Sequence, residues 1–208
     1  MQQILDAIHA LHTKWAGKPA RGIDVLPQSG SDRRYFRVHT HNGSSCIATY
    51  GNNIPENETF IYFAQHFRRH GLPVPEIYAL NTEKNIYLQE DFGDLSLLNK
   101  LEAEGFTTNV YDLFKRSLHQ LALLQVKGHY GIDYNRCLTN KEFGKQAIMA
   151  DLLYFKYYFL DALRKPYDKQ KLIDDFEALS TYLTHTEYKY FMFRDFQSRN
   201  ILVRPGGS

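Results

Sequence analysis

The apolar positions at the start of the chain follow first the period of a helix and then the period of strands. An amphipathic first helix is indicated by apolar residues at helical spacing: Ile4, Leu5, Ile8, Leu11 and Trp15. Gly17 and Pro19 then predict its end. Three short β-rich runs follow, at 23–25, 35–38 and 46–50, with polar turns between them. This pattern predicts an antiparallel meander.

The next segment adds one helix and two more strands. Aromatic and small residues on one face predict a helix over 56–70. The run Leu72-Pro-Val-Pro75 forces an extended path, since proline fixes its own backbone and restricts the residue before it. Residues 76–80 and 86–92 then have the character of strands. Five strands with one helix between the third and the fourth are therefore predicted.

After Gly93 the pattern becomes helical. Four helices are predicted, at 95–101, 110–126, 139–163 and 169–183, and Thr139-Asn-Lys-Glu142 has the form of a capping box for the third.

Two short apolar runs, 190–193 and 201–203, are predicted to be strands that flank a polar loop as a hairpin. The fold class expected is α+β, with a β-rich N-terminal lobe over 1–92 and a mostly helical lobe over 93–208.

The composition argues against a nucleic-acid-binding, membrane-binding or disulfide-rich secreted protein. The chain has 208 residues, 43% of them hydrophobic and 23% charged, with a formal net charge of +2, which is too small to indicate a nucleic-acid or membrane surface. It has two cysteines, too few for a disulfide framework, and its first residues lack a secretory pattern. We expect a cytoplasmic protein without a nucleic-acid or membrane partner; the sequence does not give its oligomeric state.

The polar loop Arg194-Asp-Phe-Gln-Ser-Arg-Asn200 is the strongest candidate for chemistry. Phosphoryl transfer to a hydroxyl requires a carboxylate for the acceptor and oxygen ligands for Mg²⁺. Asp195 and Asn200, five positions apart on one loop, can supply both. The alternative is a polar surface turn in which the two side chains bond their own backbone.

A second candidate loop lies between the first two strands. Ser29, Gly30, Ser31 and Asp32 can present backbone N–H groups and hydroxyls to a phosphate chain, or they can form an ordinary hairpin turn. The following run 33–37 combines cations with aromatics, which single-stranded RNA-binding proteins also do. Because strand residues alternate between faces, we interpret it as a solvated basic edge.

Four segments carry a resemblance to a known family: 29–37, Gly71-Leu-Pro-Val-Pro-Glu-Ile-Tyr78, Leu88-Gln-Glu-Asp-Phe-Gly93 and Phe193-Arg-Asp-Phe-Gln-Ser-Arg-Asn200. In this order they resemble the aminoglycoside phosphotransferase and choline kinase-like family. They are most similar to its N-acetylmuramate/N-acetylglucosamine anomeric kinases.

The resemblance implies a bilobal protein-kinase-like fold that binds ATP and Mg²⁺ between its lobes. Asp195 is then the catalytic base and Asn200 a metal ligand, while the loop from Ser29 to Asp32 covers the phosphates. Backbone groups near Glu90 and Phe92 are expected to meet the adenine.

The chain departs from the family pattern at three places. Phe193 replaces the usual His of the catalytic motif, and the strand at 46–50 lacks the Lys that commonly pairs with phosphates. Arg34 or Arg37 on the adjacent strand is a substitute cation, and Glu58 then has no strand Lys to pair with. Family members also continue to a further metal-binding Asp, so we expect a C-terminally truncated chain that is inactive alone.

The aromatic helix around 151–160 allows two interpretations. Tyr154 and Tyr158 can stack on a sugar ring of the acceptor, or the aromatic stripe can be core.

The first functional hypothesis is an ATP- and Mg²⁺-dependent kinase for a small hydroxylated metabolite, an amino sugar or hexose. The alternative is a kinase-like module that binds nucleotide or a partner protein without catalysis.

Overall fold

The computed structural model describes residues 1–28 and 32–204. It divides into two compact units, one formed by residues 1–132 with the segment from Phe193 onward, the other by residues 133–192. No helix in these two described ranges has both the length and the apolar character needed to cross a membrane. The predicted boundary between 1–92 and 93–208 stays a prediction.

The first unit contains a five-stranded antiparallel sheet, as the sequence predicts. Its strands are β1 (Gly22–Val25), β2 (Arg34–His39), β3 (Ser45–Tyr50), β4 (Ile77–Leu80) and β5 (Ile86–Glu90), in the spatial order β1-β2-β3-β5-β4. Helix α1 (Gln2–Ala16) precedes the sheet, and α2 (Ile54–Arg69) connects β3 to β4. The predicted α+β class and the single helix between the third and fourth strands are confirmed.

Each face of the sheet packs against a different helix. Phe36 and Val38 of β2 are fully buried in a cluster with Ile8 and Leu11 of α1. Because neighbouring strand residues point to opposite faces, Arg37 of β2 lies on the other side. On that side the Phe60 ring of α2 stacks on Tyr87 of β5, with 5.4 Å between ring centroids.

Helices α3 (Leu97–Glu104) and α4 (Thr108–Lys127) follow the sheet. Helix α3 begins at Ser96 with a capping box, since Ser96 and Asn99 exchange side-chain and backbone hydrogen bonds. At the far end of α4, the His66 ring of α2 donates to the main-chain oxygen of Gly128 over 2.8 Å. A Cβ at Gly128 would lie 2.8 Å from the Phe67 ring, so only glycine permits this approach.

The second unit contains α5 (Lys145–Phe155), a π-helical turn over Lys156–Leu160 and α6 (Lys169–Thr184). The predicted helix over 139–163 is therefore too long, and the predicted capping box is wrong. Gly144 is the N-cap, and no side chain caps the first turn. Glu142 forms an ion pair with Lys189, so its carboxylate is used elsewhere.

The predicted hairpin around 194–200 is also wrong. Residues 190–193 contain no strand, and Ser198–Asn200 form one turn of 3-10 helix. Leu202 forms an isolated antiparallel bridge with Ser96 instead. The apolar run 201–203 therefore takes its partner from the residues that lead into α3.

Candidate active site

Asp195 and Asn200 lie together on one loop of the first unit. The Asn200 side-chain amide donates to the main-chain oxygen of Asp195 over 3.2 Å, and the Gln197 N–H donates to the same oxygen over 2.9 Å. Both side chains are exposed. A catalytic loop and a polar turn both allow these bonds, so the distinction depends on what surrounds the loop.

The segment after the loop is fixed to the residues before α3. The Leu97 N–H donates to the Ile201 oxygen and the Val203 N–H donates to the Leu95 oxygen, each over 2.8 Å. Val203 is buried in a small apolar cluster with Leu97 and Leu113. Burial and main-chain bonds together hold the loop at the end of a rigid segment.

Arg204 links this segment to the end of β5. Its Nη2 donates to Glu90 Oε1 over 2.8 Å, and its guanidinium carbon lies 4.7 Å from the centre of the Phe92 ring. Arg68 of α2 lies 3.5 Å from the other Glu90 oxygen. The Glu90 and Phe92 side chains are therefore both engaged by cations, and the Glu90 N–H donates to the Glu76 oxygen over 2.8 Å.

The segment 91–96 between β5 and α3, called the connector below, is held to the sheet by Arg37. The guanidinium donates to Asp91 through Nε over 2.7 Å and Nη2 over 3.2 Å. It also donates to Asp94 through Nη1 over 2.8 Å and Nη2 over 2.7 Å. Ser45 Oγ of β3 and the Gly93 N–H also donate to Asp91.

These bonds set the ionisation of the cluster. Burial by itself would raise the pKa of Asp91, but the bonds from Arg37, Ser45 and Gly93 outweigh it and lower that pKa below its ordinary value. Hydrogen bonds from Arg37 lower the pKa of Asp94. The bonds to Asp94 and Asp91 raise the pKa of Arg37. The cluster is therefore fully charged at neutral pH.

The phosphate-loop prediction is only partly covered by the structure. Ser29, Gly30 and Ser31 lie outside the described residues. Asp32, shortly before β2, and Arg34, the first residue of β2, are both exposed. Since Arg37 is bound to two carboxylates, Arg34 is the better of the two predicted substitute cations. Glu58 forms an ion pair with Lys84.

A second cation, Arg33, lies beside Arg34 but contacts α2. Its Nη2 lies 3.1 Å from Glu56 Oε1, and its guanidinium carbon is 5.3 Å from the centre of the Phe60 ring. This pair connects the start of β2 to the first turn of α2. The Arg33 side chain is only 14% exposed, so we interpret the Arg33–Glu56 pair as a structural contact.

The loop offers one protein ligand for Mg²⁺, the side chain of Asn200. Within the described ranges, no three His, Cys, Asp or Glu side chains form a group that could hold a metal. Mg²⁺ commonly keeps several waters and takes few protein oxygens, so a single amide ligand is acceptable when phosphates supply others. Because Nδ2 of Asn200 is bound to Asp195, Oδ1 is the atom that could serve as this ligand.

Tyr154 and Tyr158 lie in the second unit. Their rings are stacked with centroids 4.3 Å apart, and they are 64% and 70% exposed. The interpretation of these two side chains as core is therefore wrong. They form an exposed aromatic surface, and their stacking on a sugar stays a prediction.

A cavity of about 480 Å³ lies beside the connector, lined by residues of the connector, α3, α4 and the segment 203–204. Its lining includes Lys100, Arg116 and Arg204 together with the acidic Asp94, and Lys100 and Arg204 are paired with Glu104 and Glu90. Neither Asp195 nor Asn200 lines it. We therefore do not assign it to the reacting groups.

Together, the fold and the loop define a class: an α+β protein of the kinase type, with a five-stranded antiparallel sheet followed by a helical part. A model of the phosphotransferase enzyme family (APH) matches residues 23–208. The chain belongs to this family and is a kinase-type transferase. A comparison with curated proteins found no match.

Sequence reasoning did not find the connector cluster. It named Arg37 as a phosphate cation and had no role for Asp91 or Asp94. A signal was available, because Asp91 lies near the end of the predicted strand 86–92, Asp94 follows that strand, and Arg37 lies on a strand of the same predicted sheet. The predicted meander already pairs β2 with β3, but the sequence did not predict the pairing of β3 with β5, which brings the aspartates beside Arg37.

Proposed function

We propose that this protein is an ATP- and Mg²⁺-dependent phosphotransferase that phosphorylates a hydroxyl of a small molecule, an amino sugar or related hexose. The observation that carries the proposal is the Asp195–Asn200 loop, in a chain whose family is that of the phosphotransferases. The acceptor class rests on the sequence resemblance to amino-sugar kinases.

In the proposed reaction, the exposed Asp195 carboxylate accepts a hydrogen bond from the acceptor hydroxyl and orients it toward the γ-phosphorus of ATP. The new bond forms between the acceptor oxygen and that phosphorus, while the bond to the bridging oxygen of ADP breaks. The hydroxyl proton passes to Asp195. Mg²⁺, when bound, supplies charge neutralisation at the phosphates, with Asn200 Oδ1 as one ligand.

The remaining predicted residues have supporting roles. Main-chain groups of Glu90 and Phe92 bind the adenine, and the loop from Ser29 to Asp32, with Arg34, contacts the phosphates. Stacking of a sugar ring on the exposed pair Tyr154 and Tyr158 is proposed for the second unit by itself. Both cysteines are free, which agrees with the cytoplasmic location that we propose.

A non-catalytic kinase-like module that binds nucleotide or a partner protein is the second candidate. It is favoured by Phe193 in place of the usual His and by the strand Ser45–Tyr50, which carries no Lys.

Mg²⁺-dependent ATP consumption, measured with the protein expressed from its complete gene and a panel of amino sugars and hexoses, separates the two. The enzyme predicts ADP formation that depends on one class of sugar and stops with EDTA. Saturable ATP binding without ADP formation from any sugar would support the module and contradict the enzyme.

A further inference from the structure

The connector has a backbone path that needs external support. It contains Gly93 at φ +83°, in the left-handed region, and runs only from the end of β5 to the N-cap Ser96. A short irregular segment does not hold main-chain groups in place by itself, and ordering it on binding would weaken affinity. Whatever fixes the connector therefore also sets how well its main chain can bind a ligand.

Arg37 provides this support from the middle of the sheet. It lies on β2, and its guanidinium bonds both carboxylates of the connector, Asp91 and Asp94. The planar fork of arginine matches carboxylate oxygens in pairs, so it restricts direction as well as distance. Asp91 has a 7% exposed side chain and is also bound by Ser45 of β3. The connector is thus attached to two strands at once.

The charges exclude a different use for Arg37. Two carboxylates face one guanidinium, so the cluster carries a net negative charge and would repel a triphosphate. The Nε, Nη1 and Nη2 atoms are all directed at aspartates. Arg37 therefore acts on the connector and does not act as a phosphate ligand.

We propose that Arg37, through Asp91 and Asp94, is a positioning residue that presents the connector main chain to the nucleotide base. This inference rests on the proposed function, because it requires that Glu90 and Phe92 bind adenine. It adds a determinant of base recognition that lies outside the nucleotide contacts themselves. Removing Arg37 should weaken recognition of the base while leaving the phosphates and the acceptor bound as before.

The test compares ATP with inosine triphosphate, which keeps the triphosphate and changes the base edge. Dissociation constants for both nucleotides are measured by calorimetry for the wild type, R37Q, D94N and, as a matched control, R21Q, an exposed arginine just before β1. All variants are made in the protein expressed from its complete gene, and kinetic constants for ATP and for the acceptor are measured in parallel. Circular dichroism establishes that each variant is folded.

R37Q should lower ATP affinity about tenfold and lower the ATP/inosine triphosphate preference with it, because the base contact is misplaced. KM for ATP should rise by a similar factor while kcat and the acceptor KM change less than about threefold. D94N, which keeps the Arg37–Asp91 bonds, should have a smaller effect. R21Q should match the wild type.

An equal loss for both nucleotides, or no loss, in folded R37Q would overturn the positioning role and leave the proposed function intact. If the wild type binds ATP without turnover, the proposed enzyme fails but the binding comparison still decides the role of Arg37. A wild type with no adenine-nucleotide binding would overturn both.

Discussion

Asn200 donates a hydrogen bond from its side-chain nitrogen to the main-chain oxygen of Asp195, over 3.2 Å. The bond uses the backbone of Asp195 and leaves its carboxylate exposed. The two residues that the sequence paired on chemical grounds are therefore coupled through the loop itself. Asp195 can be changed without removing the main-chain oxygen that Asn200 binds, whereas changing Asn200 leaves the Gln197 N–H as a donor to that oxygen.

Replacing Asn200 by Ala should raise the Mg²⁺ concentration that gives half-maximal activity. The variant loses the proposed oxygen ligand, and we expect a change of about tenfold or more, since even outer-shell losses reach that size. The measurement is ATP turnover across a Mg²⁺ titration. Asn135→Ala is the matched control, because Asn135 is also an exposed residue in a single 3-10 turn. An unchanged Mg²⁺ requirement in Asn200→Ala would remove Asn200 from the metal site.

Replacing Arg37 by Ala should destabilise the first unit by about 2–4 kcal/mol. The buried Asp91 carboxylate then keeps Ser45 and the Gly93 amide but loses its only opposite charge in the cluster, and breaking such pairs is costly. Urea denaturation measures the difference. Arg34→Ala, on the same strand but exposed, should change stability by less than about 0.5 kcal/mol. Equal effects of the two substitutions would contradict the role given to the cluster.

The stability contributed by Asp91 should depend on pH in a defined direction. Its folded-state pKa lies below the ordinary aspartate value of about 3.9, so its contribution is complete above that value and is lost as the pH falls through the lower folded pKa. Asp91→Asn removes the charge. The stability difference between wild type and Asp91→Asn should therefore be largest near neutral pH and shrink below about pH 4. Denaturation midpoints at several pH values check this, and a gap that widens in acid would contradict it.

The two thiols should differ in reactivity. Burial, with a smaller effect of the Asp91 charge, raises the pKa of Cys46 to about 11, and the residue is 1% exposed. Burial also raises the pKa of Cys137, which is more accessible. Because the thiolate is the reactive form, alkylation of the native protein near pH 8 should label Cys137 first. Mass spectrometry after timed quenching measures the order, with the unfolded protein as control, where both should react alike. Faster labelling of native Cys46 would show that the sheet core is open.

The tyrosine pair offers a test of the acceptor surface. Tyr154→Ala and Tyr158→Ala should each raise the KM for the sugar by up to about tenfold and leave the KM for ATP unchanged, because aromatic stacking contributes about 0.5–1.5 kcal/mol to binding. Tyr182→Ala is the control, since Tyr182 is also strongly exposed, at 77%, in the same unit. Identical behaviour of all three variants would exclude a special role for the pair.

Local periodicity was sufficient to predict the sheet, but not the partners of isolated apolar segments. The five strands and the α2 crossover follow from alternation and turn residues, which are properties of neighbouring positions. The run 201–203 is equally apolar, yet its partner is Ser96 and not the run 190–193. A pattern of apolar residues indicates burial and gives no information on which distant segment provides it.

The same limit applies to charged residues. The Thr139–Glu142 motif has the spacing of a capping box, but Glu142 pairs with Lys189. Arg37 was recognised as a cation on the second strand, while its aspartates lie 54 and 57 positions away. Asp195 and Asn200 could be paired from sequence because their contact is local, within one loop.

The central claim is that Asp195 is the catalytic base of a phosphotransferase. Its most direct test is the rate of phosphoryl transfer from ATP when Asp195→Asn is made in the protein expressed from its complete gene. The substitution keeps the main-chain oxygen that organises the loop, so the variant should fold and bind ATP as the wild type does. Asp175→Asn, an exposed aspartate on α6, serves as control. We predict that turnover falls by about 10²–10⁴ in Asp195→Asn alone. Wild-type turnover in that variant would contradict the account.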